Sequence, residues 1–308
     1  MSEERESASW TVEKLERNTH RVTFDLDRLG QECWILLRSD AHHDSPCFTL
    51  CENALERAHL EAAKKAGAFV IDNGDAFDLM GGKWDKRSSK AELRPHLAMA
   101  DNYLDAVIND YADFLEPYAH SIGCWSQGNH ESSILRHHET DVTTRLCEQL
   151  RYRTGAKMYE GGYTGWVFFT LRRKVKNKGK KYRERNARTI KMYRTHGYGG
   201  SAPVTKGVLN SGRRSAILPD ARLVVSGHIH QEWQFPIQRM RVTPAGRVFQ
   251  DEQLHLALPS YKDSIKDGWS KKNWAIERGF PPSPVGAIWL RLTLGKDEQI
   301  EVHVERAK

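Results

Sequence analysis

Five short apolar runs in the first 230 residues each break at a small or polar residue and are followed at once by Asp, His or Asn. They are "CWILLRSD" (33–40), "GAFVIDNGD" (67–75), "SIGCWSQGN" (121–129), "TIKMYRTHG" (189–197) and "RLVVSGH" (222–228). Runs of this length, bounded by Gly, Ser and Asp, read as buried strands. Helical patterns lie between the first of them. Residues 50–65 place Cys51, Leu55, Ala58 and Ala62 on one face and stop at Gly67; 97–115 repeats the pattern through Leu97, Leu104, Tyr111 and Phe114; a third covers 141–152. More strand-like runs follow at 254–260, 286–294 and 300–305. This order predicts an α/β fold of layered mixed β-sheets, a β-sandwich core flanked by α-helices, as a single domain over 1–308.

Ligands of α/β sheets bind in the crevice beyond the carboxyl ends of the strands, so the five breaks are expected to converge. They carry Asp40 and His42 in "SDAHHD", Asp75 and Asp78 in "NGDAFD", Asn129, His130 and Glu131 in "GNHE", His196 in "THG", and His228 and His230 in "GHIH". Oxygen and nitrogen donors without a thiolate suit Mn²⁺, Fe or Zn²⁺. Two imidazoles one residue apart on a turn fit two ions better than one.

The ordered motifs D-x-H, G-D-x-x-D, G-N-H-E, H-G and G-H-x-H resemble the calcineurin-like metallophosphoesterase superfamily across residues 40–230. The resemblance implies a metallophosphoesterase-like fold with Asp40, His42, Asp75 and His230 around one metal. It places Asn129, His196, His228 and a bridging Asp75 around the second. His130 corresponds to a general acid that protonates the leaving oxygen, and Asp78 and Glu131 to residues that orient the ligands. The implied cofactor is a pair of divalent ions, Mn²⁺ foremost with Fe, Zn²⁺ or Ni²⁺ as alternatives, which clamp a phosphate ester for in-line attack by a bridging hydroxide. His43, beside His42, is expected to point elsewhere.

The motifs give the reaction and leave the substrate open. The Arg that follows the second motif in the family's protein phosphatases is missing from "GDAFDLMGGKW", and so is the Tyr that purple acid phosphatases carry between the two aspartates. The net charge of +7 is concentrated: Leu171 to Arg194 holds twelve Lys/Arg and one acid, Glu184. That stretch predicts a basic β-hairpin arm, with strands 166–172 and 189–195 and a turn signal at 177–179, suited to a nucleic acid backbone. Its cations include Arg172, Arg173, Lys174, Lys176, Lys178, Lys180, Lys181 and Arg183. Lys206, Arg213 and Arg214 are candidates for phosphate contact, and Trp84 and Trp233 for base stacking.

The expected activity is a phosphodiesterase acting on nucleic acid or nucleotides. The alternatives are a phosphomonoesterase for a small metabolite or phosphoprotein, and a non-catalytic scaffold. No run of about 18 apolar residues is present to span a bilayer. The start "MSEERESASW" lacks an apolar leader, which makes the cytoplasm the expected location and a membrane partner unexpected. The five cysteines read as ordinary buried thiols. The sequence leaves the oligomeric state open.

Overall fold

The computed structural model describes residues 5–45, 53–79, 94–176, 182–200, 205–263 and 282–307. Along the chain run β1 (Ser9–Glu16), β2 (Thr19–Leu26), β3 (Cys33–Arg38), α1 (Asn53–Ala66), β4 (Phe69–Asp72), α2 (Pro95–Ala98), α3 (Tyr103–Leu115) and β5 (Ile122–Trp125). After these come α4 (Asn129–His138), α5 (Val142–Thr154), β6 (Tyr159–Glu160), β7 (Thr164–Lys176), β8 (Tyr182–Thr195), α6 (Leu209–Ile217) and β9 (Leu223–Ser226). The last strands are β10 (Trp233–Val242), β11 (Val248–Ala257), β12 (Ile288–Leu294) and β13 (Ile300–Arg306).

The strands form two sheets, one ordered β13-β12-β3-β4-β5-β6 and one ordered β1-β2-β7-β8-β9-β11-β10. In the first, β3, β4, β5 and β6 are parallel. Every residue of β3 is buried because alternate side chains enter two cores. Ile35 and Leu37 face the second sheet, where they meet Val22 and Phe24 of β2, Phe169 of β7 and Val225 of β9. Trp34 and Leu36 face the helices, against Leu60 of α1, Tyr111 of α3 and Leu146 of α5. This is the layered α/β sandwich with flanking helices that the sequence predicts.

Several boundaries differ from expectation. The single helix expected over 97–115 is two, because the Asn102 side chain accepts a hydrogen bond from the Asp105 N–H and starts α3 afresh as its N-cap. β1, β2 and β10 were not anticipated. The first two alternate polar and apolar residues, and β10 is an edge strand containing Pro236 and few buried side chains. Cys33, Cys124 and Cys147 are buried free thiols, while Cys47 and Cys51 lie outside the described residues. No described helix is long and apolar enough to cross a membrane.

The expected arm strands are present and longer than predicted, pairing out to Lys176 opposite Tyr182. β8 runs from there to Thr195, directly before His196. At about 3.3 Å per residue its far end lies roughly 45 Å from that histidine.

Candidate metal centre

The strand ends are laced together by backbone hydrogen bonds. Asp40 N–H donates to Gly74 O and His42 N–H to Asp75 O, while Gly227 N–H donates to His196 O and Tyr261 N–H to Asp40 O. Loops after β3, β4, β8, β9 and β11 therefore share one location. Their backbone is unusual as well. Nine described non-glycine residues have a positive φ, and five of them are Asp40, His42, Asp75, His228 and His230. Left-handed backbone costs such residues on the order of 1 kcal/mol or more each and persists where surrounding structure imposes it, commonly at functional sites. Two glycines make the close approach feasible: a Cβ on Gly128 would overlap the Asp75 carboxylate, and one on Gly227 would overlap Ser39 and Asp40.

Two groups of donor atoms result. In the first, Asp40 Oδ1 lies 3.2 Å from His230 Nε2 and 3.9 Å from His42 Nε2. The His42 and His230 Nε2 atoms face each other at 3.3 Å. In the second, His196 Nε2 lies 3.1 Å from Asp75 Oδ2 and 3.1 Å from Asn129 Oδ1, and a His228 ring nitrogen falls within 4.8 Å of the Asp75 and His196 donors. The sequence-predicted ligands thus gather in two neighbouring clusters. Asp75 enters the second; its bridging position belongs to the reading proposed below.

The residues fit metal ions. A cation bound at about 2.1 Å separates neighbouring ligand atoms by roughly 3.0 to 3.4 Å in octahedral or tetrahedral geometry. The shorter contacts match that spacing. Two ring nitrogens aimed at each other also suit a cation between them, which accepts both lone pairs. The electrostatics agree. Burial works against a charge on His196, yet Asp75 and Asp40 outweigh it and lift its pKa to about 10. Burial would raise the Asp40 carboxyl, but His196 and His230 bring it well below the usual range. Positive charge is stabilised between these carboxylates.

A second ring of contacts fixes the candidate ligands. Asp78 Oδ1 sits 2.7 Å from His42 Nδ1, so that ring donates there and turns Nε2 toward the cluster. The Glu131 carboxylate accepts the backbone N–H groups of Asp75, Phe77 and Gly128 at 3.2, 3.1 and 2.7 Å, tying two ligand loops together. Burial and the nearby Asp75 raise the Glu131 pKa to about 8. His130 donates from Nδ1 to Asp78 O at 2.6 Å, leaving Nε2 3.9 Å from Asp75 Oδ2. His43 points elsewhere, as expected, stacking on Tyr111 at 4.1 Å and reaching Asp110 at 3.1 Å.

Two supports were not foreseen. Asp44 accepts the N–H groups of Asp78 and Leu79 and shapes the second motif's loop. Lys262, in the loop after β11, places Nζ 3.2 Å from Asp78 Oδ1 and holds the carboxylate that orients His42. Asp44 closes the first motif stretch "SDAHHD" but its role could not be read there, and Lys262 has no sequence signal, arriving from 184 residues away. Lys262→Met is expected to weaken metal binding by about 10- to 100-fold, as loss of an outer-shell partner typically does. Titration calorimetry with Mn²⁺ checks this, and unchanged affinity would show that Asp78 needs no such anchor.

The substrate candidates separate. Lys206 is exposed, with its carbonyl accepting the Trp233 indole N–H at 2.9 Å, so Trp233 is anchored as well as half-buried. Arg213 is exposed, whereas Arg214 is buried with its guanidinium over the Tyr198 ring. Arg172 is tied to Asp25 at 2.7 Å, so it is not a free cation of the arm. Arg173 is half-buried. Lys174, Lys176 and Arg183 lie on the paired strands. Trp84, Lys178, Lys180 and Lys181 lie outside the described residues.

No protein-family model matches the chain, and no curated protein matches it. Among solved structures, the chain resembles Vacuolar Protein Sorting 29 from Cryptosporidium parvum at 12% identity and a TM-score of 0.36, covering 91% of this chain and 100% of that one. It resembles a conserved protein described as a predicted phosphoesterase from Streptococcus pneumoniae at 11% identity and a TM-score of 0.30, covering 89% and 98%. A zinc-complexed Vps29 from Entamoeba histolytica gives 11% identity and a TM-score of 0.33, covering 89% and 99%. Likenesses this remote fix neither activity nor substrate.

Proposed function

We propose that this chain is a dinuclear metal-dependent hydrolase of phosphate esters, and that phosphodiesters of nucleic acid or nucleotides are its substrates. The observation that supports this reading is the meeting of all seven sequence-predicted donors in two adjoining clusters, with His130 beside them. Asp40, His42 and His230 would hold one ion and Asn129, His196 and His228 the other, with Asp75 shared. Such a pair binds phosphoryl oxygens, offsets their charge and lowers the pKa of water at the site.

The remaining chemistry belongs to the side chains. Burial opposes a proton on His130, but Asp75 and Asp78 outweigh it and raise its pKa. The bond from Nδ1 to Asp78 O fixes the ring, so the proton offered to a leaving oxygen sits on Nε2. Asp78 and Glu131 keep the ligand loops in place without meeting the substrate.

The basic arm favours a polymeric substrate. Roughly 45 Å from His196, it cannot touch the scissile bond, but it can hold a nucleic acid that spans about 13 base pairs at 3.4 Å each. Turnover by the Mn²⁺-loaded protein of bis(p-nitrophenyl) phosphate against p-nitrophenyl phosphate tests the reaction. Clear preference for the monoester would favour a phosphomonoesterase, and no turnover with bound metal would leave a scaffold. For the arm, changing Lys174, Lys176, Lys178, Lys180 and Lys181 to Gln is expected to flatten the salt dependence of duplex binding. The slope should change by about 0.9 for each phosphate that the arm no longer neutralises. An unchanged slope would remove the nucleic-acid assignment.

A further inference from the structure

The underside of α6 is polar where a helix seated on a sheet normally presents apolar residues. Its buried residues are Ser211 and Arg214, one turn apart and therefore on one face. Arg214 is 8% exposed, and among the described residues no carboxylate pairs with it; its guanidinium lies 5.1 Å from the ring centroid of Tyr198. Ser211 Oγ is buried without a hydrogen-bond partner among the described residues. So is Nδ1 of His255, a fully buried imidazole on β11 close enough to Arg214 to feel its charge.

Buried charges are ordinarily paired and buried hydroxyls ordinarily bonded. A guanidinium with no carboxylate and a buried hydroxyl with no hydrogen bond among the described residues, on one helix face, are donors prepared for an anion. The acceptor is equally defined. Gln253 donates through Nε2 to Leu218 O and Ala221 O, so its Oε1 accepts from His255 Nε2 at 2.9 Å. His255 Nδ1 is then a bare lone pair, and burial, followed by Arg214, holds the ring neutral with a pKa near 4. That lone pair suits the hydroxyl a sugar phosphate carries beside its anion.

The location connects this cluster to the catalytic centre. Tyr198 follows His196 by two residues. His255 precedes Ala257 by two, and Ala257 pairs with Ser226, two residues before His228. Four residues of strand amount to roughly 13 Å.

We propose that Arg214 and Ser211, with His255 beside them and Tyr198 above, form a subsite for a second, uncleaved phosphate of the substrate. This rests on the phosphodiester reading above and narrows it to substrates with at least two phosphate groups, such as a nucleotide chain. Arg214 here is a specificity residue that meets the substrate away from the reacting atoms.

The test compares the thymidine dinucleotides TpT and pTpTp, the latter phosphorylated at both ends, on wild type, Arg214→Met and Arg214→Lys. Binding is measured by calorimetry and by melting in EDTA, and turnover with Mn²⁺. Wild type is expected to bind pTpTp about 10- to 100-fold more tightly than TpT, and Arg214→Met to lose that preference. Arg214→Lys should recover part of it. Without ligand, Arg214→Met should melt at or above the wild-type temperature, because it removes a largely covered charge that has no counter-ion among the described residues. pTpTp should raise the melting temperature of wild type and leave that of the variant unchanged.

An equal affinity of wild type for the two dinucleotides overturns the subsite, as does an unchanged preference in Arg214→Met. A fall of several degrees in the unliganded variant would make Arg214 structural and overturn it too. If bis(p-nitrophenyl) phosphate is hydrolysed while the pTpTp preference is missing, only the subsite fails. If no diester is hydrolysed while the Arg214-dependent preference holds, the catalytic reading fails and the subsite stands.

Discussion

Asp75→Asn is expected to lose metal by about a thousandfold in affinity and, with it, turnover of bis(p-nitrophenyl) phosphate. Asp75 touches three of the loops that meet at the candidate site. Its Oδ2 reaches His196, its Oδ1 accepts the His130 N–H at 2.9 Å, and its carbonyl accepts the His42 N–H at 3.1 Å. Asparagine keeps an oxygen for the His130 N–H, but it removes the charge and puts an NH2 donor where Oδ2 faces His196. One unit charge about 4 Å from another is worth on the order of 4 kcal/mol at an effective dielectric of 20, which converts to about a thousandfold. Mass-spectrometric metal content and Mn²⁺ calorimetry give the readout, with melting temperature reporting that the fold survives. A variant that retains stoichiometric metal at wild-type affinity would place the centre elsewhere.

That these Asp, His and Asn side chains would meet could be read from the sequence because each follows a buried strand; their individual roles as metal ligands came only from the resemblance. A fully apolar run such as Phe69–Asp72 marks its own end, and the next few residues must turn where the strands terminate. What supports the ligands was not legible in the same way. Asp44 acts by accepting two N–H groups from the turn after β4, and Lys262 by meeting Asp78 across 184 residues. Such contacts follow from loop placement in space, and no periodicity encodes them. The same holds for Arg214. Beside Arg213 in sequence the two are equivalent cations, and only the seating of α6 buries one and exposes the other. The strands missed at the N-terminus failed for a different reason: "THRVTFDL" alternates as a half-buried strand should, yet its mean polarity masks Val22, Phe24 and Leu26, which the structure buries completely.

Arg38→Met is expected to cost about 3 to 5 kcal/mol of stability and to lower the melting temperature on the order of 10 °C. Arg38 is fully buried two residues before Asp40, and its guanidinium joins three elements beneath the candidate metal centre. It pairs with Glu56 of α1 at 2.6 Å and with Asp72 of β4 at 2.9 Å, and it donates to the Tyr111 hydroxyl of α3. One cation faces two carboxyls, and they share it unequally. Burial pushes Glu56 upward, but Arg38 outweighs it and holds the pKa at about 2; for Asp72 burial wins and the pKa stands near 6.

Without the guanidinium both carboxyls lose the influence that keeps them ionised, so both folded-state pKa values rise, Glu56 from below its unfolded value and Asp72 from already above it. A carboxyl raised in this way binds a proton in the folded state first. Its destabilisation is therefore greatest at high pH and is relieved as pH falls through the folded value. The deficit of Arg38→Met relative to wild type should accordingly shrink between pH 7.5 and pH 5, as measured by urea unfolding at each pH. A deficit of constant size would mean that the loss comes from packing against Trp125 and Tyr261, whose rings lie 5.5 and 5.4 Å from the guanidinium carbon, and that the two carboxyls are not left unpaired.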